Sequence, residues 1–485
     1  DVISPGTVVI SAAGHCDAIT QVVEPVLQKD GGPLYYINLS KDQYKIGGSS
    51  FAQIQNKIGN EAPTITDAAY VKTVFNTMQQ AIRAGHVLAG HDVASGGLIT
   101  TLLEMCFADV DLGADLDLTP LGESDSIRLL FSENAGIVVQ SKDESLFDFL
   151  KDAQIDVKRI GEVVNEAKLR IRNHGMEMGL NVVSLRDTWY KTSYLLDQKQ
   201  SANNLAQDRF DNFKHQPLLY SFPKSFNGQL PKVNKARPKA AILREKGSNS
   251  EREMANAMYL AGFDVKDVHM TDLISGRETL EDIQFIGAVG GFSNSDVLGS
   301  AKGWAGAFKY NEKANSTLKN FFSRPDTLSV GICNGCQLFM ELDLINPDHK
   351  NHGRMLHNDS HKHESSFTTV KIQENNSVML SNMAGTTLGV WISHGEGKFN
   401  LPHEEDKYDI VAKYGHDAYP ANPNGSDYNT AMLCDNTGRH LVTMPHIERS
   451  IFPWNWAHYP SGNADEVSPW LAAFVNARKW VEEND

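Results

Sequence analysis

The chain has 485 residues, 41% of them hydrophobic and 22% charged, with a formal net charge of −15. At roughly 100–200 residues per domain, that length calls for about two to four domains, each large enough to bury a core of its own. Apolar runs break well before the ~20 residues a membrane helix needs. The acidic balance is the reverse of that expected for a nucleic-acid backbone binder, and five cysteines are too few for a disulfide framework. No secretory leader is recognisable, and the first residue is Asp1 rather than Met. These features predict a cytoplasmic protein, and a chain processed or cut from a longer one.

The first stretch reads as α/β. Residues 8–11, 34–39, 136–140 and 169–172 have strand composition, whereas 67–84 and 99–107 carry apolar residues at helical spacing. From about Asp197 the composition turns polar, and Pro217, Pro223, Pro231 and Pro238 punctuate the chain before the next strand pattern. This predicts a linker with a helix in it, or an irregular arm packed across both domains. The expected division is 1–196, a linker at 197–236, and 237–485.

The second domain alternates strands and helices. Residues 240–245, 263–270, 285–292 and 328–333 read as strands; 248–261, 304–322 and 335–342 read as helices. Asn249 or Ser250 is the expected N-cap of the first helix and Gly262 its stop. Such alternation implies right-handed βαβ units and a doubly wound parallel sheet. Chemistry in these sheets sits at the carboxyl ends of the strands.

Two strand ends carry the candidate residues. Gly331 and Gly335 flank Cys333 between a strand and a helix start. This is the nucleophile-elbow pattern with Cys in place of Ser; small neighbours let the chain turn sharply and expose the side chain. The helix that follows offers its N-terminus to a thiolate or an oxyanion. A thiolate needs a base, and the base needs an orienting group. In Met444-Pro445-His446-Ile447-Glu448 the His and Glu stand two apart, so an extended segment would place both on one face. The Cys333–Cys336 spacing also permits a redox pair, but the glycines and the distant His-x-Glu fit a hydrolytic triad better, and Cys336 reads as packing. Gly290, Gly291 and Phe292 close the preceding strand. Their N–H groups, with that of Asn334, are candidates for an oxyanion hole; a plain tight turn is the alternative. Five histidines between 349 and 363 lack zinc spacing and read as a solvated loop.

The strings GICNGCQ (331–337), GGFSNSDVLG (290–299), WISHGEGKF (391–399), YPANPNGS (419–426) and MPHIER (444–449) resemble a known family. It is the phosphoribosylformylglycinamidine synthase family, in its large single-chain form, and the match is to its class I glutamine amidotransferase domain from about Arg237 onward. The resemblance implies a flavodoxin-like α/β domain with Cys333 as nucleophile, His446 as general base and acid, and Glu448 as the third member. Gly291, Phe292, Asn334 and Gln337 would lie near the bound glutamine. The family usually carries Tyr-Gly where this chain has Asn294-Ser295, and Pro where it has Ile447.

The strings Gly6–Ala12, Ile46–Gln53, His91–Leu98 and Leu130–Glu133 resemble the last subdomain of the same family's synthetase region, which is aminoimidazole-ribonucleotide-synthase-like. By that resemblance Asp92 binds magnesium at a nucleotide site and Ala94 contacts the nucleotide, although Ala94-Ser95 replaces the family's Ser-Asp. From the residues themselves, HDVASGG is a turn before a helix. The implied cofactors are ATP or ADP with Mg²⁺, and the glutaminase chemistry requires none. The implied partners are glutamine, with formylglycinamide ribonucleotide and ATP reached through a missing upstream region, and neither nucleic acid nor membrane. Magnesium suits a carboxylate because it prefers oxygen ligands shared with phosphates.

Overall fold

The computed structural model describes residues 9–29, 31–109, 111–233, 236–460 and 464–484. The chain divides into two compact units, Asp1–Ser193 and Tyr194–Asp485.

The first unit has strands β1 (Pro33–Asn38), β2 (Val87–Asp92), β3 (Gly113–Asp117), β4 (Gly136–Ser141), β5 (Val157–Val164), β6 (Lys168–Asn173) and β7 (Met176–Asn181). Its helices are α1 (Ser50–Ile54), α2 (Ala68–Arg83), α3 (Gly97–Phe107), α4 (Ser126–Phe131) and α5 (Ser145–Asp152), and α6 (Val182–Asp197) comes next. The strands form one sheet in the order β2-β4-β1-β5-β3-β6-β7. The pairing is antiparallel except between β3 and β6. Strand β1 shows how the sheet comes to be covered on both faces. Leu34 and Tyr36 enter one core with Leu98, Leu102 and Leu129, whereas Tyr35 and Ile37 enter the other with Val74, Met78 and Leu146. Successive residues of a strand face opposite ways, so a strand buried on both sides must be apolar throughout. Helix α2 starts where predicted because the Asp67 side chain accepts from Tyr70 N–H at 2.9 Å. The strand expected at residues 8–11 is not found: 9–11 have no strand partner and Val9 and Ile10 are exposed, while Val8 lies outside the described residues, as do Gly6 and Thr7. Strand composition forms a strand only where a partner edge exists.

The second unit contains α7 (Leu205–Asn212), β8 (Lys239–Arg244), α8 (Glu251–Ala261), β9 (Asp264–His269), α9 (Met270–Ser275), β10 (Phe285–Ala288), α10 (Lys302–Lys309), α11 (Glu312–Ser323), β11 (Leu328–Ile332) and α12 (Asn334–Glu341). Further along are β12 (Arg354–Leu356), β13 (Glu364–Ile372), β14 (Thr387–His394), β15 (Lys398–Asn400), β16 (Asp409–Tyr414), β17 (Thr430–Cys434), β18 (His440–Thr443) and α13 (Leu471–Asn484). Nine strands make one sheet in the order β14-β13-β16-β17-β18-β11-β10-β8-β9. The run from β9 to β18 is parallel, as the βαβ alternation predicts, and the rest is an antiparallel extension. The fold class is thus α/β in both units.

Three local expectations are refined. The single helix expected at 304–322 is two, because Asn311 caps α11 by accepting from Ala314 N–H at 3.0 Å. Ser250 is the N-cap position of α8 but makes no capping bond; its hydroxyl accepts from Gly290 N–H at 3.2 Å instead. The segment expected as a linker lies against the second unit. The Arg209 guanidinium donates to Glu364 Oε2 at 2.9 Å, Asn212 Nδ2 to the Tyr419 carbonyl at 2.7 Å, and Tyr220 meets the Trp456 ring at 5.3 Å. A polar composition here marks ion pairing rather than free solvation.

Glu364 is buried and also accepts from the Tyr419 hydroxyl at 2.9 Å. Glu364→Ala should leave Arg209 underpaired and destabilise the second unit by about 2–3 kcal/mol. Urea unfolding followed by tryptophan fluorescence measures this; an unchanged midpoint would show that the 194–216 segment is not anchored through this pair.

Candidate active site

Strand β11 ends at Ile332 and α12 begins at Asn334, so Cys333 alone makes the turn, at φ 53° and ψ −106°. L-residues rarely adopt this conformation. It is held by Cys333 N–H donating to Thr443 O at 2.8 Å and by the absence of side chains on either side. A Cβ on Gly335 would lie 2.1 Å from the Ala288 carbonyl oxygen, and one on Gly331 would lie 2.6 Å from that of Gly335. The thiol therefore emerges at the carboxyl ends of the parallel strands, where the topology predicts chemistry.

His446 follows β18, and its N–H donates to Trp391 O at 2.8 Å. The next residues form a short 3₁₀ turn, Ile447–Arg449, not the extended segment expected. The turn rather than strand alternation brings Glu448 Oε1 to 2.6 Å from His446 Nδ1, with both side chains buried. The imidazole and the Cys333 side chain both border Gly290 and are close enough to interact electrostatically. Burial alone would lower the His446 pKa, but the Glu448 carboxylate and Cys333 outweigh it and raise it to about 10. Burial works against the Glu448 carboxylate too, and the imidazolium beside it holds its pKa below the ordinary value. This arrangement favours the imidazolium form of His446.

The expected oxyanion donors separate into used and available groups. Gly290 N–H is taken by Ser250, and Phe292 N–H donates to Gly247 O at 2.9 Å. The N–H groups of Gly291 and Asn334 make no hydrogen bond among the described residues. Asn334 and Gln337 are buried and tie loops together. Asn334 Oδ1 accepts from Ser293 N–H at 3.1 Å, Asn334 Nδ2 donates to Gln337 Oε1 at 2.7 Å, and Gln337 Nε2 donates to Glu396 O at 2.8 Å. Phe292 is half exposed at the opening. Asn294 and Ser295, at φ 54° and 57°, occupy the left-handed region, a conformation that the family's Gly at the second position would adopt without strain.

Cys336 is fully buried on α12, burial holds its thiol pKa well above the usual range, and all five cysteines are free. It packs, as expected. Among the described residues no group of three His, Cys, Asp or Glu is placed to hold a metal. The histidine tract is nevertheless not a featureless loop. His357 Nδ1 lies 3.4 Å from Glu396 Oε1 and His363 Nε2 lies 3.0 Å from Ser393 Oγ, while Cys333 Sγ is 3.6 Å from Ser393 O. Sequence spacing carries no sign of this, because Ser393 and Cys333 come from strands far apart in the chain. A cavity of about 540 Å³ beside His446 and Glu448, lined in part by Arg252, Trp391, Arg449 and Trp454, was equally unforeseen.

In the first unit Asp92 ends β2 with its side chain 73% exposed. Glu104 is engaged by His91 Nε2 at 3.2 Å and by Trp189 Nε1 at 2.9 Å. Ala94 is exposed in the turn before α3. The backbone N–H groups of Ser50 and Gly96 both donate to Glu133 Oε1, at 2.8 and 2.9 Å, so this carboxylate staples the two glycine-containing loops.

A strained cysteine at a strand–helix elbow, backed by a buried His–Glu pair, is the arrangement of a cysteine-dependent amide hydrolase. Residues 237–481 match the model of the CobB/CobQ-like glutamine amidotransferase domain, and the chain belongs to that family. Residues 29–173 match the model of the AIR synthase related protein, C-terminal domain. Curated relatives include a probable phosphoribosylformylglycinamidine synthase, chloroplastic/mitochondrial, of Arabidopsis thaliana, 39% identical over 99% of this chain and 36% of its own length. The phosphoribosylformylglycinamidine synthase of Homo sapiens is 37% identical over 99% of this chain and 39% of its own. The chain thus spans well under half the length of these relatives. A solved structure of PurLQS from Thermotoga maritima is 24% identical, covering 49% of this chain and 97% of that one with a TM-score of 0.40. No helix among the described residues is long and apolar enough to cross a membrane.

A Cβ on Gly290 would lie 2.8 Å from His446 Cε1 and 3.3 Å from Cys333 Cβ. Gly290→Ala should therefore push the imidazole off the thiol and slow alkylation of Cys333 by iodoacetamide several-fold in a folded protein. Glu448→Gln removes the largest influence that raises the imidazole and leaves Cys333 alone against burial, so the His446 pKa should fall from about 10, as read by NMR of the ring protons. The raised pKa also predicts a stability profile. The imidazolium's contribution is complete below pH 6.5 and is lost as pH rises through about 10. Across that window the thermal midpoint of the unaltered protein should fall more than that of Glu448→Gln; parallel profiles would show that this pair does not govern the alkaline limb.

Proposed function

We propose that the second unit hydrolyses glutamine and that the chain is the glutaminase-bearing part of a phosphoribosylformylglycinamidine synthase. The observation that carries the reading is the buried Glu448–His446 pair beside Cys333, next to the available N–H groups of Gly291 and Asn334. Cys333 thiolate adds to the side-chain amide carbon of glutamine, and the oxygen gains negative charge against those N–H groups. His446, as imidazolium, gives its proton to the leaving nitrogen, which departs as ammonia and leaves a thioester. His446 then takes a proton from water as the water attacks the thioester. Glutamate leaves, and the thiolate–imidazolium pair returns. Glu448 holds the imidazole in orientation throughout.

In the longer protein the ammonia would replace the amide oxygen of formylglycinamide ribonucleotide with consumption of ATP, giving formylglycinamidine ribonucleotide. We assign Asp92 and Ala94 to a magnesium–nucleotide site completed elsewhere in that protein. Asp92 is a single exposed carboxylate whose Oδ1 lies 3.3 Å from His91 Nδ1, and no group of three His, Cys, Asp or Glu forms around it among the described residues. These residues alone do not fit a magnesium ion, which demands near-octahedral oxygen ligation. Magnesium, when bound, would neutralise phosphate charge.

Cys333→Ala should abolish glutamine-dependent synthesis by the longer enzyme and leave ammonia-dependent synthesis largely intact. Loss of both in a folded protein would overturn the division of labour. The 485-residue chain alone should hydrolyse glutamine weakly and, by calorimetry, bind Mg²⁺–ADP poorly. Tight binding that persists in Asp92→Ala would move the nucleotide site elsewhere.

A further inference from the structure

Lys362, His363 and Glu364 enter β13 in succession, and the first and third are fixed by charge. Lys362 Nζ pairs with Asp197. Glu364 is buried and takes hydrogen bonds from Arg209 at 2.9 Å and Tyr419 at 2.9 Å. Asn358, itself buried, donates to the Lys362 carbonyl at 3.0 Å and to the His394 carbonyl at 2.7 Å. Neighbouring residues of an extended segment face opposite ways. With Lys362 and Glu364 anchored to one side, His363 is presented to the other. There it meets Ser393 Oγ at 3.0 Å and the Phe292 ring at 5.9 Å, both beside the Cys333 opening, and it remains exposed. The same Ser393 bears the carbonyl 3.6 Å from Cys333 Sγ. One residue thus touches the nucleophile through its backbone and orients an imidazole through its side chain.

Resting on the glutaminase reading, we infer that His363 is a substrate-binding residue that recognises the α-carboxylate of glutamine. The chemistry comes from the hydrogen-bond inventory of imidazole. With the Ser393 hydroxyl donating to Nε2, the proton resides on Nδ1, which becomes an outward donor suited to an anionic oxygen. Glutamine carries its carboxylate a short aliphatic chain away from the amide carbon that Cys333 attacks. A recognition group must therefore stand off from the nucleophile by about one side chain, which is the offset Ser393 provides. The partly buried ion pairs on either side of His363 restrict its backbone, so little ordering cost falls on binding.

The test uses the 485-residue chain and does not depend on turnover. Iodoacetamide alkylation of Cys333 is timed at increasing glutamine, and the concentration that halves the rate measures binding. His363→Leu should raise that concentration about tenfold or more while leaving alkylation without glutamine unchanged. His363→Gln, which keeps a donor, should recover part of the loss. Glutaminamide, whose α-carboxylate is capped, should protect the unaltered chain and His363→Leu equally. The inference is overturned if His363→Leu is protected by glutamine as well as the unaltered chain is, or if glutaminamide loses as much protection as glutamine does. Failure of glutamine to protect the unaltered chain at all would instead overturn the glutaminase reading, and this inference with it.

Discussion

Cys333 sits in a backbone conformation that costs an L-residue about 1–3 kcal/mol, and the second unit is arranged so that it has no alternative. The turn closes between two glycines that admit no side chain, one against the Ala288 carbonyl at the end of β10 and the other against the turn itself. Its N–H donates to Thr443, the last residue of β18. That bond couples the elbow to the strand that delivers His446 three residues later. Nucleophile and base are therefore referenced to the same sheet register, β11 against β18, and not to two independent loops. Shifting either strand would separate the pair.

The parallel half of the sheet accounts for the nucleophile, the glycines and the histidine, and the antiparallel half completes the enclosure. Strand β14 supplies the Trp391 carbonyl that holds His446 N–H and the Ser393 carbonyl beside Cys333 Sγ. It can do so although it lies at the far edge of the sheet order, because the isolated bridge between Trp391 and His446 joins its chain directly to the residue after β18. The walls of the site are thus set by an extension that a doubly wound sheet does not require. The charged pair inside depends on that enclosure. Burial alone would strip the proton from His446, as burial and neighbouring histidines push His394 down to about 3. Glu448, within hydrogen-bond contact, reverses the sign for His446 together with Cys333. Two buried histidines in one unit thus have opposite charge preferences, decided by the carboxylate and thiol that one has beside it and the other lacks.

Much of this was legible in the residues. The βαβ half declares itself through strands bounded by glycines, and the elbow through Gly331, Cys333 and Gly335. The His446–Glu448 partnership was legible as a pair, but by the wrong geometry: a 3₁₀ turn, set by local hydrogen bonds, does the work assigned to strand alternation. The antiparallel extension was not legible, since β13, β14 and β16 pair across long separations that no local pattern encodes. The side-chain partners of Asn334 and Gln337 were hidden for a related reason. Both amides are engaged by neighbours, Ser293 and Glu396, whose proximity is purely tertiary. Polar composition at 197–236 was ambiguous as well, because buried ion pairs and solvated loops draw on the same residue types.

The two units differ in what their candidate chemistry demands. Thiol-based amide cleavage needs one nucleophile, one proton carrier with its support, and two N–H donors. All of these stand within a single compact unit, between Gly291 and Glu448. Nucleotide chemistry needs several anionic ligands converging on a cation and further groups around the phosphates. Among the described residues of the first unit, Asp92 stands exposed beside His91, Glu104 is engaged by His91 and Trp189, and Glu133 is engaged by two backbone N–H groups. Glu133 holds the unit's own loops in place. A chain that covers 36% to 40% of its relatives' length can on this reasoning contain one complete reaction centre and one wall of another. The difference lies in how many side chains each reaction must bring to a point.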